Sequence, residues 1–161
     1  QDRGFYGIGC PHPGVKCLAE QINLLLMHYG CSSAVGLKQQ ITLEYMILEL
    51  GLSLQPLQQS YSKYSDWVTH SWLKTIWEKC DCFQIKIRFA DVPLDMAREG
   101  DKWIMAEFMR VGYSEEKLRR LNQVRLFQQV LFLSDVLRAS GKSLDKKYLR
   151  RRREDERWSK L

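Results

Sequence analysis

The sequence lacks the signatures of the common enzyme sites. It contains no G-x-S-x-G elbow, no Walker-type phosphate loop and no H-E-x-x-H zinc motif. The Gly7-Ile8-Gly9 piece lacks the third glycine and the later acidic residue of a dinucleotide fingerprint. We therefore predict no catalytic residues, no metal ligands, no cofactor and no independent enzyme activity.

Long apolar runs and zinc-type cysteine pairs are also missing. No stretch approaches the roughly 18 apolar residues of a transmembrane helix, so we expect no membrane segment. No C-x-x-C or H-x-x-x-H element with zinc spacing is present. An odd number of cysteines in a chain of this length predicts free thiols and an intracellular protein, in the nucleus or the cytoplasm. The cysteines are Cys10, Cys17, Cys31, Cys80 and Cys82.

The length and composition are those of a globular protein. The 161 residues are 45% hydrophobic, which is enough for a core of its own. We predict one helical domain over residues 1–145 and a charged extension over residues 146–161. Because the chain opens at Gln1 rather than Met, we expect it to be a piece of a longer protein or a processed product.

Positive charge is concentrated at the C-terminal end. The net charge is +6, and residues 114–161 carry 14 Lys and Arg against 7 Asp and Glu. The densest block is residues 146–153 (KKYLRRRR), which the acidic residues 154–156 follow directly. Such a block attracts phosphate backbones. The alternatives are a solvated helix with i,i+4 ion pairs, such as Arg150 with Glu154, or a nuclear targeting signal.

Residues 114–139 are predicted to form one long central helix. Ser114 is a good N-cap, two glutamates occupy the first turn, and Gly141 supplies a stop. The second half is apolar on nearly all sides, which predicts a buried end. The first half keeps Arg119, Arg120 and Arg125, which predicts a basic end in water. A short buried strand over residues 130–136 is the alternative.

Apolar periodicity predicts three further helices, over residues 15–29, about 35–50 and 101–111. Residues 72–80 carry an apolar helical stripe that includes Trp72 and Trp77. Indole rings can stack on unpaired bases, but this spacing favours a stripe that faces the core.

Residues 82–90 (CFQIKIRFA) alternate apolar and polar side chains and predict one short β-strand. Three candidates remain for the strand that pairs with it: residues 52–54, residues 92–94 or a part of a larger protein. The fold class we predict is mainly α, a helical domain around the buried central helix with this single strand.

Short motifs occur in order along nearly the whole chain. They are residues 7–9 (GIG), 48–51 (LELG), 68–74 (VTHSWLK), 73–78 (LKTIWE), 98–105 (REGDKWIM) and 121–136 (LNQVRLFQQVLFLSDV). This series resembles the segment downstream of the polymerase core in certain retroelement reverse transcriptases. The resemblance implies a helical region in the place of a thumb or connection, which grips an RNA or DNA template and primer within a larger polyprotein.

The resemblance does not extend to the polymerase site. Two-metal phosphoryl transfer needs closely set carboxylates. Phe89-Ala90-Asp91 mimics the aromatic-x-Asp part of such a site, but Val92 stands where a second aspartate is needed. We therefore expect the catalytic carboxylates of the polymerase to lie outside this chain.

The sequence predicts an electrostatic site for nucleic acid. Its residues are Arg119, Arg120, Arg125, Lys146, Lys147, Arg150, Arg151, Arg152 and Arg153. The alternative from another class is a helical protein-interaction module that docks a partner through Tyr61, Tyr64 and Trp158, with a solvating or targeting tail. A decayed element without present activity is a further alternative.

Overall fold

The structure is a computed structural model that describes residues 12–90 and 100–146. This part of the chain is mainly helical, as the sequence predicts, and the helical fold class is confirmed. Its α-helices are α1 (Pro13–His28), α2 (Ala34–Leu50), α3 (Tyr61–Tyr64), α4 (Trp72–Cys82), α5 (Ile104–Arg110) and α6 (Glu115–Phe127). Single 3-10 turns occupy Pro56–Gln58, Ser65–Trp67 and Leu133–Val136.

The chain divides into two compact units. Among the described residues, the first unit holds residues 12–45 and 55–89, and the second holds residues 46–54, 90 and 100–146. Helix α2 therefore contributes residues to both units. Of the predicted extension over residues 146–161, only Lys146 lies within the described part.

The first unit is built around α1 and α4. Helix α4 begins at a cap in which the Ser71 hydroxyl accepts the Lys74 N–H at 3.1 Å. The sequence predicts that one side of this helix faces the core, and four residues of that side are almost completely buried. They are Leu73, Ile76, Trp77 and Cys80. Trp72 departs from the prediction, since 40% of its surface is exposed.

Trp77 ties the loop before α3 to α4. Its indole N–H donates to the Gln59 carbonyl at 2.9 Å, and its ring meets the Tyr61 ring edge to face at 5.2 Å. A buried indole needs such an acceptor for its N–H. The segment between α2 and α4 is thus anchored by a tryptophan that the sequence places in the core.

The predicted strand over residues 82–90 is wrong. Cys82 still belongs to α4, and Gln84 turns the chain with a φ of 57°. The Ile87 N–H donates to the Leu57 carbonyl, and the Gln55 amide holds both backbone groups of Phe89, at 2.7 and 2.8 Å. A side chain and one carbonyl thus replace a partner strand. The alternation still places Ile87 and Phe89 in the core.

The long central helix is also wrong at its C-terminal end. Helix α6 begins where the sequence predicts, with the Ser114 hydroxyl as its cap, but it ends at Phe127. Gln129 has a φ of 53°, and the Asp135 carboxylate accepts the N–H groups of Leu131 and Phe132, both at 2.8 Å. Local hydrogen bonding by an aspartate competes with helix formation in this way.

Backbone pairing holds the segment after α6 in the second unit. Trp103 and Phe132 form an antiparallel bridge with their rings 5.0 Å apart. The Ile104 N–H donates to Leu131 at 3.1 Å, and the Leu133 N–H donates to Lys102 at 2.9 Å. The burial predicted for this segment is present at Phe132, but the backbone makes an isolated bridge, neither the predicted helix nor the alternative strand.

The cysteines of the described part are free thiols: Cys17, Cys31, Cys80 and Cys82. Burial raises the pKa of the Cys80 thiol. None of the helices within residues 12–90 and 100–146 has both the length and the apolar character of a membrane span.

Asp81 links α4 to the chain on either side of it. Its carboxylate accepts the Tyr61 N–H at 3.0 Å and the Lys86 ammonium at 2.7 Å. The hydrogen bond from Lys86 lowers the pKa of Asp81 below its usual value. The ionised carboxylate is therefore the form that stabilises the fold.

We predict that Asp81→Asn lowers the free energy of unfolding at pH 7, and that this loss shrinks as the pH falls. A carboxyl whose pKa is lower in the folded state contributes stability above its unfolded pKa of about 3.9, and this contribution disappears below the folded pKa. Urea unfolding at pH 7 and pH 3 measures both differences. Glu20→Gln, which changes an exposed carboxylate of α1, is the control. An equal loss for Asp81→Asn at both pH values would contradict the assignment.

Candidate functional site

Helix α6 of the second unit has one buried side and one exposed side. Its buried residues are Leu118, Asn122 and Arg125, which recur at i, i+4 and i+7 and so form one stripe. Arg119 and Arg120 lie outside this stripe and are exposed, as the sequence predicts. Because the buried stripe fixes the rotation of the helix, the positions of these arginines are fixed as well.

The exposed side of α6 carries three cations, which we call the basic face: Lys117, Arg119 and Arg120. The Lys117 ammonium lies over the Tyr113 ring, 3.9 Å from its centroid. Arg120 pairs with Glu116 at 2.6 Å, and both side chains are 75% exposed. Exposed ion pairs contribute little to stability, so a phosphate can displace Glu116 from Arg120 at small cost.

Arg125 does not belong to this face, and the prediction that it lies in water is wrong. Its side chain is 5% exposed. The guanidinium donates to the Leu48 carbonyl at 2.7 Å, to the Glu49 carbonyl at 2.8 Å, and to the Asn122 side-chain oxygen at 2.8 and 2.9 Å. A further contact reaches the Val130 carbonyl at 3.3 Å. Burial lowers the pKa of Arg125 to about 10.

Two neighbours complete the surroundings of Arg125. The Asn122 amide donates to the Glu49 carbonyl at 2.9 Å, so one backbone oxygen serves both side chains. Gly51 has a φ of 64°, and a Cβ at this position would lie 2.6 Å from the guanidinium carbon of Arg125. The glycine is therefore required by both the backbone and the close approach. Residues 48–51 and 121–136, two of the motifs of the sequence analysis, thus meet at one guanidinium.

The remaining predicted site residues lie at or beyond the end of the described part. Lys146 is exposed in the second unit, as are Arg138 and Lys142 before it. Lys147, Arg150, Arg151, Arg152 and Arg153 lie outside the described residues. The structure therefore leaves Arg119 and Arg120 exposed on α6 and removes Arg125 from the predicted surface.

The first unit contains an apolar groove that the sequence does not predict. It has a volume of about 480 Å³, and Leu24 of α1, Val35 of α2, and Trp72 and Leu73 of α4 form its walls. Three of these side chains are partly open to solvent: Leu24 is 49% exposed, Val35 is 52% and Trp72 is 40%. Binding sites for small molecules and side chains are commonly apolar clefts of this size.

Gln39 is the polar residue of interest in the groove. The residue is 6% exposed, and its side-chain oxygen has no hydrogen-bond partner. Within the described residues, the other buried side-chain atoms without a partner are Trp103 Nε1 and Gln128 Oε1, and neither lines the groove. A buried acceptor without a donor costs about 1–3 kcal/mol, so this position favours a ligand that supplies one.

The aromatic residues of the alternative hypothesis, a protein-interaction module, differ in their exposure to solvent. Tyr64 is 5% exposed and packs against the Trp67 ring at 5.6 Å. Tyr61 is partly buried against Trp77. Trp158 lies outside the described residues. Tyr64 is therefore a core residue and not a docking residue.

In the described part of the chain, no three His, Cys, Asp or Glu side chains are placed to hold a metal ion. Comparison of the chain with protein-family models, with curated proteins and with solved structures finds no match.

We predict that Arg125→Ala lowers the free energy of unfolding by about 3 kcal/mol, because the change leaves buried carbonyl oxygens without donors and opens a cavity. Arg120→Ala, on the same helix, is the matched control. It removes an exposed arginine and an exposed ion pair and should leave stability nearly unchanged. Urea unfolding followed by circular dichroism measures both. Similar losses for the two variants would contradict the structural role of Arg125.

Proposed function

We propose that the chain is the non-catalytic, nucleic-acid-contacting C-terminal region of a retroelement reverse transcriptase, and that it grips template and primer through basic residues. The observation that carries the proposal is the basic face of α6. Three exposed cations lie on a helix whose rotation is fixed by a buried stripe, ahead of a C-terminal stretch rich in Lys and Arg. The order of sequence motifs supports the same origin.

The proposed mechanism is electrostatic. Arg119 and Arg120, together with Lys146 and the residues that follow it, neutralise phosphates and release condensed counterions. Phosphate contacts of this kind position a nucleic acid without recognising its sequence. Arg125 acts indirectly, since it orients α6 from within the second unit.

In this proposal the catalytic carboxylates belong to another part of the same polyprotein. Residues 1–145 correspond to the thumb-like region, and residues 146–161 form its basic extension. The protein works inside the cell, in the nucleus or the cytoplasm, where template and primer are present.

We predict that a variant with Lys117, Arg119 and Arg120 changed to glutamine binds nucleic acid more weakly and with a flatter salt dependence. The slope of log K against log salt should fall by about 0.9 for each phosphate contact that is lost. A salt series with a primer–template duplex and with a single strand measures it. The loss should be similar for all sequences, because phosphates are the common ligand.

The matched control neutralises three exposed cations of the first unit, Lys16, Lys63 and Arg88. It removes the same charge and should leave the slope nearly unchanged. A second variant, with Arg150 to Arg153 changed to glutamine, tests the basic block by the same measurement. Equal losses for the first variant and its control would contradict the assignment to α6. No binding by the unmodified chain at low salt would reject the nucleic-acid proposal for the isolated chain.

A further inference from the structure

We propose that the apolar groove of the first unit docks a partner peptide through a tryptophan side chain that has acidic neighbours. The site is distinct from the basic face of α6 in the second unit, and the inference does not depend on nucleic-acid binding. It rests on three properties of the groove: its apolar walls, its unpaired acceptor and the charge at its rim.

The walls favour an apolar ring over a nucleobase. Leu24, Val35 and Leu73 are aliphatic, and Trp72 adds one aromatic face. A nucleobase carries several polar edge atoms, and each would lose its water without a replacement partner in such walls. An indole ring has a single polar atom and a large apolar surface, so most of its area gains from burial here.

The acceptor favours indole among the aromatic side chains. Gln39 lines the groove, and its Oε1 is buried and has no partner. Two hydroxyl groups of the lining already take part in helix structure: the Thr42 hydroxyl donates to Lys38 at 2.7 Å, and the Ser71 hydroxyl accepts the Lys74 N–H. Indole is a pure donor, whereas the oxygen of a tyrosine would also require donors from the site. One unpaired acceptor therefore matches one indole N–H.

The charge at the rim favours acidic neighbours of that tryptophan. Lys38 and His28 line the groove, and among the described residues no aspartate or glutamate does so. Lys38 is exposed, so its ammonium can reach a carboxylate of a bound peptide without being buried. Such a rim contact acts mainly on the association rate and on specificity, and it weakens with salt.

The surface beside the groove suits an extended occupant rather than a small molecule. Leu37, Ile41 and Tyr45 follow one another at i, i+4 and i+8 along α2, and they are 48%, 64% and 55% exposed. These side chains extend the apolar surface along α2 beyond the lining residue Lys38. A peptide that places tryptophan in the groove can cover this stripe with further apolar residues, in the manner of helix-in-groove recognition.

The test is a binding measurement on the full chain with a fluorescein-labelled peptide that holds one tryptophan between aspartates and leucines. Fluorescence anisotropy compares it with the same peptide carrying 1-methyltryptophan, which removes only the indole N–H donor. We expect saturable binding of the first peptide and about tenfold weaker binding of the second. Gln39→Leu should weaken the first peptide about tenfold and abolish the difference between the two, as in a double-mutant cycle.

Gln128→Leu is the matched control, because Gln128 also has an unpaired side-chain oxygen but lies in the second unit outside the groove. It should leave both affinities unchanged. The peptide comparison uses the unmodified protein, so the test stands even if Gln39→Leu fails to fold. Equal affinity for the two peptides, or no binding at millimolar peptide, would overturn the proposal. The proposal would also be overturned if a single-stranded oligonucleotide displaced the peptide and this displacement required Gln39, because the groove would then bind a nucleobase.

Discussion

The second unit depends on one buried cation, the guanidinium of Arg125. The Arg125 guanidinium gives its N–H groups to the last carbonyls of α2 and to Asn122. Carbonyl groups at a helix C-terminus lack partners within the helix and carry partial negative charge, so they are suited to an arginine. The interaction satisfies the end of α2 and fixes α6 at the same time.

This constraint decides which side of α6 meets water. With Leu118, Asn122 and Arg125 held inside, Arg119 and Arg120 have only the solvent side. The exposed charge on which the proposed nucleic-acid contact depends is therefore positioned by a charge that is buried. By charge alone, Arg119, Arg120 and Arg125 are equivalent. The structure separates them, because Arg119 and Arg120 are exposed whereas Arg125 is buried.

The sequence predicted elements whose signals are local and missed features that depend on distant partners. The start of α6 is marked by Ser114, whereas its end depends on the Asp135 carboxylate and on pairing with the chain around Trp103. The strand over residues 82–90 failed because the Gln55 amide occupies the backbone of Phe89. Arg125 lies seven residues after the buried Leu118, so both residues lie on the same side of the helix. That spacing could have predicted the burial of Arg125. No sequence signal predicted the groove, because α2 is apolar on several sides and periodicity does not show which of these sides remains uncovered.

The positions of two tryptophans give the first unit its own optical labels. Trp77 is fully buried, hydrogen-bonded to Gln59 and in contact with the Tyr61 ring, so its emission reports whether the interior of this unit is intact. Trp72 stands at the groove, 40% exposed, so its emission responds to what covers that wall. Because Trp67, Trp103 and Trp158 also emit, the signal of each label is the difference between the unmodified chain and the variant in which that tryptophan is replaced by phenylalanine.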